Sequence, residues 1–428
     1  MAKKAQDRPT WYRLDNAAKI YPAVRNARWS ANFRVTVILK ERVDPVILQQ
    51  ALDVTIRRFL NFRLKLHKGL FWYYLEEGKG PYVVEPDVAN PCMRFGKDRS
   101  GGQLFRVRYY ERRIAVEVFH VLSDGGGGMM FLKTLTAEYL KRKEGIEIPC
   151  EYGVLNCAEE PDPEEMEDAF KRYARFKALK SRKESKAYHF EGTPEPPDFI
   201  SVITGQCPTD KVLQMARERH VTLTEFLVAV TILALSECQK RSSRRVERPV
   251  KVSVPINLRK YYPSKTMRNF SSFVNPGIEP RYGEFSFEEI LEEVHHFMCM
   301  NVKEKYLNAI MCKNLSSEMN PALRAVPLFL KNIALNIAFR KYGDNVISAT
   351  LSNLGNVKLP DAMTPYVERF DLMLGRCITS MPNVTVVSYG NVLNIAWTSG
   401  IREKDVEREF FTALVKMGIP VKIESNLS

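Results

Sequence analysis

The stretch that most constrains this chain is Phe119-His120-Val121-Leu122-Ser123-Asp124-Gly125-Gly126-Gly127-Gly128. A histidine ends an apolar strand, Asp-Gly follows four residues on, and a run of four glycines opens a helix. The preceding segment from Arg113 alternates, so Ile114, Val116, Val118 and His120 share one face. That face is apolar and carries His120 into a largely water-free place, where an imidazole with a held ring works as a base near neutral pH. Met129 to Leu140 reads as a helix with Leu132, Leu135 and Tyr139 on one side. Taken singly, the parts have simpler accounts: a hydrogen-bonded core histidine, an aspartate capping a helix or making an Asp-Gly turn, a flexible connector. Flexibility between a buried strand and a helix is expensive, so the glycines mark a place where a ligand or another backbone comes very close. The combination points to a site.

At 428 residues the chain is long enough for two domains with filled cores. The strand and helix patterns in both parts predict an α+β (mixed α/β) fold. Asn32 to Lys40 alternates as a strand, and Asp44-Pro45 opens a helix bearing Val46, Leu48, Leu52, Ile56 and Phe59. Phe62 to Leu66 and Leu70 to Leu75 read as a strand pair joined at His67-Lys68-Gly69, and Gln103 to Tyr110 pairs with the strand ending in His120. Glu159 to Glu165 is rich in Glu, Asp and Pro and leads into a charged helix; Gly192-Thr193-Pro194-Glu195-Pro196-Pro197 closes this connector. The predicted divisions are therefore 1–158, a charged helical connector at 159–197, and 198–428. In the last part, Thr222 with Glu225 and Ser286 with Glu289 form capping boxes for two helices. Strands are expected over Val346 to Leu351, Asn383 to Ser388 and Val392 to Trp397. His295 and His296 fall in the second of those helices and are read as surface groups.

The N-terminal Met1 to Asp7 lacks the apolar stretch of a signal peptide. The longest apolar run, Phe226 to Leu235, is too short to span a bilayer and reads as a core helix, so no transmembrane segment is expected. Eight cysteines show no C-x-x-C pair and no cysteine–histidine cluster at ligand spacing. A reduced, cytoplasmic protein without bound metal follows as the expectation. The net charge of +14 invites a nucleic-acid reading. Its basic runs, Lys171 to Lys186 and Lys240 to Arg245, lack the interleaved aromatics of single-strand binders, so no nucleic acid is expected as partner.

The motif His120-x-x-x-Asp124-Gly125 at a strand end resembles the HxxxDG motif of the chloramphenicol acetyltransferase-like acyltransferases. That superfamily includes the condensation domains of nonribosomal peptide synthetases, the plant acyltransferases and the alcohol acetyltransferases. Val221 to Phe226, opening a long helix, and Val252-Ser253-Val254-Pro255-Ile256-Asn257-Leu258-Arg259 resemble the family's second-half pattern. Asn269-Phe270 to Asn275-Pro276-Gly277 and Ser352-Asn353-Leu354-Gly355 sit where the family has channel-lining strands. The resemblance runs from about Trp11 to the C-terminus and is nearest to bacterial alcohol acetyltransferase-like proteins. Two departures stand out. Phe119 occupies the place of the family's first histidine, and no Asp-Phe-Gly-Trp-Gly segment is found, which argues against the plant branch.

The resemblance implies two similar halves, each a sheet covered by helices, with a tunnel between them. It implies direct transfer of an acyl group, acetyl in the nearest relatives, from a thioester to a hydroxyl or amine, with His120 as general base. Asp124 is assigned a structural part and Arg259 is its candidate partner. Gly125 and Gly126 leave room for substrate, and Ser352, Asn353 or nearby backbone N–H groups are candidates for stabilising the oxyanion. The implied co-substrate is acyl-CoA, or an acyl group on a carrier protein, and either polyanion suits the basic charge. No permanently bound cofactor is implied, and a monomer is the default. A nucleotide-binding enzyme is the less supported reading, since the loop lacks the Gly-Lys-Ser/Thr ending of a P-loop. A basic, non-catalytic binding protein is the other alternative.

Overall fold

The computed structural model describes residues 11–24, 29–96, 102–174, 185–242, 247–376 and 382–427. The N-terminal heptapeptide, Arg244 and Arg245 of the second basic run, and most of the charged stretch from Lys171 to Lys186 lie outside them. In chain order the strands are β1 (Trp11–Arg13), β2 (Asn32–Leu39), β3 (Leu64–Lys68), β4 (Tyr73–Glu77), β5 (Val84–Pro86), β6 (Phe105–Tyr110), β7 (Arg113–Phe119) and β8 (Ser201–Pro208). They continue as β9 (Val250–Asn257), β10 (Ser271–Val274), β11 (Gly277–Ile278), β12 (Ala349–Asn356), β13 (Val367–Leu374), β14 (Asn383–Tyr389), β15 (Val392–Ser399) and β16 (Lys422–Ser425). The helices are α1 (Ile20–Val24), α2 (Pro45–Arg58), α3 (Gly125–Glu144), α4 (Ala169–Tyr173), α5 (Thr209–Glu218) and α6 (Leu223–Arg241). After them come α7 (Phe287–Asn301), α8 (Glu304–Met319), α9 (Pro321–Ala325), α10 (Leu328–Tyr342) and α11 (Asp405–Lys416).

Two sheets carry the molecule. The first runs β13-β2-β7-β6-β5, and the second runs β10-β9-β12-β14-β15-β8-β16 with β11 also on β9. A small sheet, β1-β4-β3, lies apart from both. The fold is thus mixed α/β in two lobes, each with a sheet and its own apolar core. The lobes interlock, because β13 belongs by sequence to the second part yet pairs with β2 over Leu39 to Phe33.

Local chemistry explains most elements. Asp44 accepts hydrogen bonds from the N–H groups of Val46 and Ile47, and Pro45 needs no donor at the first helical position. Both capping boxes form as the sequence implies, Thr222 with Glu225 on α6 and Ser286 with Glu289 on α7. The apolar run of α6 is buried in the second core from Glu225 through Ile232 and again at Ala234 to Ser236. Three boundaries move. The first hairpin pairs Leu64–Lys68 with Tyr73–Glu77, two residues later than its pattern suggests, because Leu60–Arg63 takes a 3-10 turn. The strand expected from Val346 begins at Ala349, after another such turn. Of the expected charged helix, the described part is the short α4.

The alternation of β7 has an outcome the pattern alone does not give. Its second face is buried too, and Glu117, 1 % exposed, meets Arg34 at 3.1 Å and Arg106 at 3.4 Å. Arg34 also holds Asp87, so the polar face is a buried ionic cluster rather than a wet surface. A rigid, doubly covered β7 is the mount from which His120 projects.

Candidate active site

His120 follows the last residue of β7, and its N–H is held by the carbonyl of Ala31 at 3.0 Å. Its ring packs between Tyr21, stacked at 4.8 Å between centroids, and Phe33, tilted at 4.9 Å. Nδ1 lies 3.0 Å from Oδ1 of Asn269. The amide of Asn269 donates to Oδ2 of Asp15 at 3.2 Å and to the carbonyl of His120 at 2.8 Å. With that nitrogen donating twice, Oδ1 is the acceptor, which assigns the proton to Nδ1 and leaves Nε2 with its lone pair. Burial pushes the imidazole below its ordinary value, against the pull of Asn269 and of Asp124. Neutral imidazole is therefore the resting form at neutral pH.

Asp124 caps α3, its Oδ1 accepting from the N–H of Gly127 at 3.1 Å. Oδ2 accepts from Arg259 Nη1 at 2.7 Å and from the N–H of Phe270 at 3.0 Å. Burial works against ionisation here, but Arg259 and the two N–H groups together hold the carboxyl below its usual range. The remaining donors of Arg259 go to the carbonyls of Thr266 and Arg268. The pair thus ties the start of α3 to the segment following β9, with both carboxyl oxygens occupied by donors.

The glycines divide by role. A side chain on Gly127 would stand 2.4 Å from the carbonyl oxygen of Met267, and one on Gly128 would stand 2.6 Å from the Phe33 ring. These two make room for protein, not for a ligand. Gly125 and Gly126 line the cavity, as do Ser352 and Asn353 on β12, though a side chain on Gly125 would also stand 2.9 Å from Leu354 Cδ2. Asn353 is committed on both sides, donating to Thr224 Oγ1 at 3.0 Å and accepting from the N–H of Gly355 at 2.7 Å. The cavity itself, about 3400 Å³, draws its walls from both lobes: Tyr21, His120 and Asp124 from the first, Thr224, Asn257 and Ser352 from the second.

One group in the site carries no sequence signal of its own: Asp15, fully buried just beyond β1, reaches the histidine only through the fold, by way of Asn269, which the family resemblance places on a channel-lining segment without a role. Burial pushes Asp15 up to about 6, with Arg268 opposing and Asp168 adding to the rise. Another grouping lies on α7, where His295 is partly buried rather than a free surface group. Its ring nitrogens stand 3.4 Å from Glu225 Oε1 and 3.6 Å from Cys299 Sγ, a contact one helical turn along that the sequence reading overlooked. Glu225 already accepts from the N–H of Thr222 at 2.7 Å, so its carboxylate is shared between the helix cap and this histidine. Among the described residues the cysteines are free thiols.

No sequence family and no curated protein matches the chain. Solved structures do. Polyketide synthase associated protein 5 from Mycobacterium tuberculosis aligns at a TM-score of 0.61 and 14 % identity, covering 95 % of this chain and 98 % of its own. The trichothecene 15-O-acetyltransferase of Fusarium sporotrichioides gives 0.60 at 10 % identity, over 97 % and 96 % of the two chains. The starter condensation domain of rhizomide synthetase, solved with C8-CoA and Leu-SNAC, gives 0.59 at 13 %, over 94 % and 92 %. At such identities the likeness concerns architecture, and it extends over nearly the whole of each chain. The chain has the two-lobed fold seen in these condensation-domain and acetyltransferase structures.

Proposed function

We propose that this protein is an acyltransferase that moves an acyl group, acetyl in the simplest case, from coenzyme A to a hydroxyl acceptor. The observation that carries the reading is the state of His120: on the wall of a cavity between two lobes, with Nδ1 occupied by Asn269. Nε2 takes the proton of the acceptor hydroxyl as its oxygen attacks the thioester carbonyl. The tetrahedral intermediate collapses with loss of the C–S bond, and the imidazolium returns its proton to the departing thiolate. Such a base contributes roughly 100- to 10,000-fold, and the rest comes from holding both substrates at one point. Asp124 and Arg259 support this as a brace on the loop beside His120, and Gly125, Gly126 and Ser352 bound the space for substrate. That a condensation domain of the same fold was solved with C8-CoA supports a coenzyme A donor.

The test is thiol release from acetyl-CoA and longer acyl-CoAs across a panel of alcohols and amines, with wild type beside His120→Ala. Release that needs both acceptor and His120, in a variant of unchanged melting temperature, is the expected result. Release unaffected by His120→Ala removes the base assignment. No release with any pair and no binding of coenzyme A overturns the donor.

A further inference from the structure

Helix α10 turns one face to the protein and another to water, and both faces are apolar. Its inner face is engaged: the N–H of Leu328 bonds the carbonyl of Leu70, Asn332 bonds the hydroxyl of Tyr73, and Phe339 stacks on Trp29 at 4.9 Å. The outer face carries Phe329, Leu330, Ile333 and Ile337, exposed by 58, 45, 57 and 61 %. The spacing of four residues puts them in one stripe. Leu70 (71 % exposed) and Trp72 (50 %), in the β3–β4 turn that α10 rests on, extend the apolar area. Removing the exposed part of each such side chain from water is favourable, and a contiguous apolar stripe of this kind marks an interaction surface.

The charge around it identifies the cover. From Asn320 to Gly343 there are four basic residues, Arg324, Lys331, Arg340 and Lys341, and no acidic one. The β3–β4 turn adds Lys68, again without an acid between His67 and Tyr73. A second copy of this chain would bring positive against positive. An anionic bilayer surface offers what both features need, an apolar layer beneath a sheet of negative headgroups. We propose that the outer face of α10, with the β3–β4 turn, docks this protein on an anionic phospholipid surface. It lies in the interface and does not cross it; among the described residues no single helix is long and apolar enough to span a membrane.

The same face borders the cavity, whose wall includes Trp72, Leu330 and Tyr342. From α10 a run of rings leads inward: Phe339 to Trp29 at 4.9 Å, Trp29 to Tyr21 at 5.9 Å, Tyr21 to His120 at 4.8 Å. On the acyl-transfer reading, docking would present a membrane-embedded amphiphile to His120 along an apolar track. The docking itself stands without that reading.

Flotation of the full chain with phosphatidylcholine–phosphatidylglycerol vesicles, beside phosphatidylcholine alone, tests it without reference to activity. Wild type should float with the anionic vesicles and be released by salt. Ile333→Glu/Ile337→Glu should lower partitioning by roughly a hundredfold and Arg340→Glu/Lys341→Glu by about tenfold, the latter removing the preference for anionic lipid. Ile333→Ala/Ile337→Ala, milder toward the fold, should lower it severalfold, and Val46→Glu on α2 should leave it unchanged. No flotation of wild type, or flotation indifferent to the isoleucine pair, overturns the proposal. A wild-type dimer in light scattering that Ile333→Glu/Ile337→Glu dissociates would overturn it too, by making the face a contact between copies.

Discussion

Two buried aspartate–arginine pairs surround the candidate base, and they are built to opposite effect. Asp124 meets Arg259 at 2.7 Å and collects two backbone N–H groups besides. Asp15 stands 3.5 Å from Arg268 Nε, which makes no hydrogen bond there, while the rest of that guanidinium serves the carbonyls of Arg13 and Met166. Asp15 is left with the N–H of Ala18 and the amide of Asn269. The first carboxyl is held low and the second is pushed up to about 6. The residue types are the same; donor count and geometry decide the outcome. One pair is a brace. The other sits at the far end of the hydrogen-bonded line Asp15–Asn269–His120, where a change in charge reaches the imidazole.

The comparison breaks most visibly at Asp124. Removing it strands Arg259 in a largely buried place, and Asp124→Ala should cost about 3 kcal/mol in urea-induced unfolding. If Asp15→Ala costs as much, the two pairs are equivalent and the contrast fails. Next in size is pH. Below its unfolded value Asp15 is protonated in both states and contributes nothing. As pH rises toward 6 the unfolded chain ionises first while the folded one keeps its proton, so stability falls by about 3 kcal/mol across that window and stays lower above it. The groups facing it are Arg268, Asp168 and Asn269. Subtracting the Asp15→Asn profile from that of wild type should isolate this decline; a flat difference between pH 4 and 6 would show that folding does not raise Asp15. The smallest effect sharpens the positional claim. Asn269→Ala should lower kcat roughly ten- to a hundredfold in the folded protein, and Asn269→Asp should move the acidic limb of the pH–rate profile upward, since a carboxylate favours imidazolium. An Asn269→Asp profile that overlays wild type leaves the asparagine a packing role only.

How far this arrangement is legible in sequence depends on how local each part is. The strand, His120, Asp124 and the glycine-opened helix are contiguous, and both capping boxes are spelled within four residues. Arg259 is reached through a family pattern, since nothing near it in the chain names Asp124 as its partner. Asp15 cannot be read at all: a single aspartate near the start becomes part of the site only when β1 and the segment before β10 meet at His120. The buried Glu117 is hidden for a related reason. Alternation of polar and apolar residues in β7 describes a sheet with one wet face, and it takes Arg34 and Arg106 from neighbouring strands to make that face dry. The hairpin at Leu64 shows the limit of period-two reasoning where a 3-10 turn intrudes.

The strand exchange between lobes has a consequence for how the chain is made. Every residue of β2 is buried, and one of its two neighbours, β13, is synthesised long after the other, β7. Until residue 374 has emerged, the unpaired edge of β2, a strand buried along its whole length in the finished protein, faces solvent on an otherwise complete first sheet. The N-terminal lobe therefore waits, unfinished, through the production of nearly the entire second lobe, and this is the interval in which a chain of such high contact order is open to mispairing. Separating the lobes genetically would leave that interval without an end.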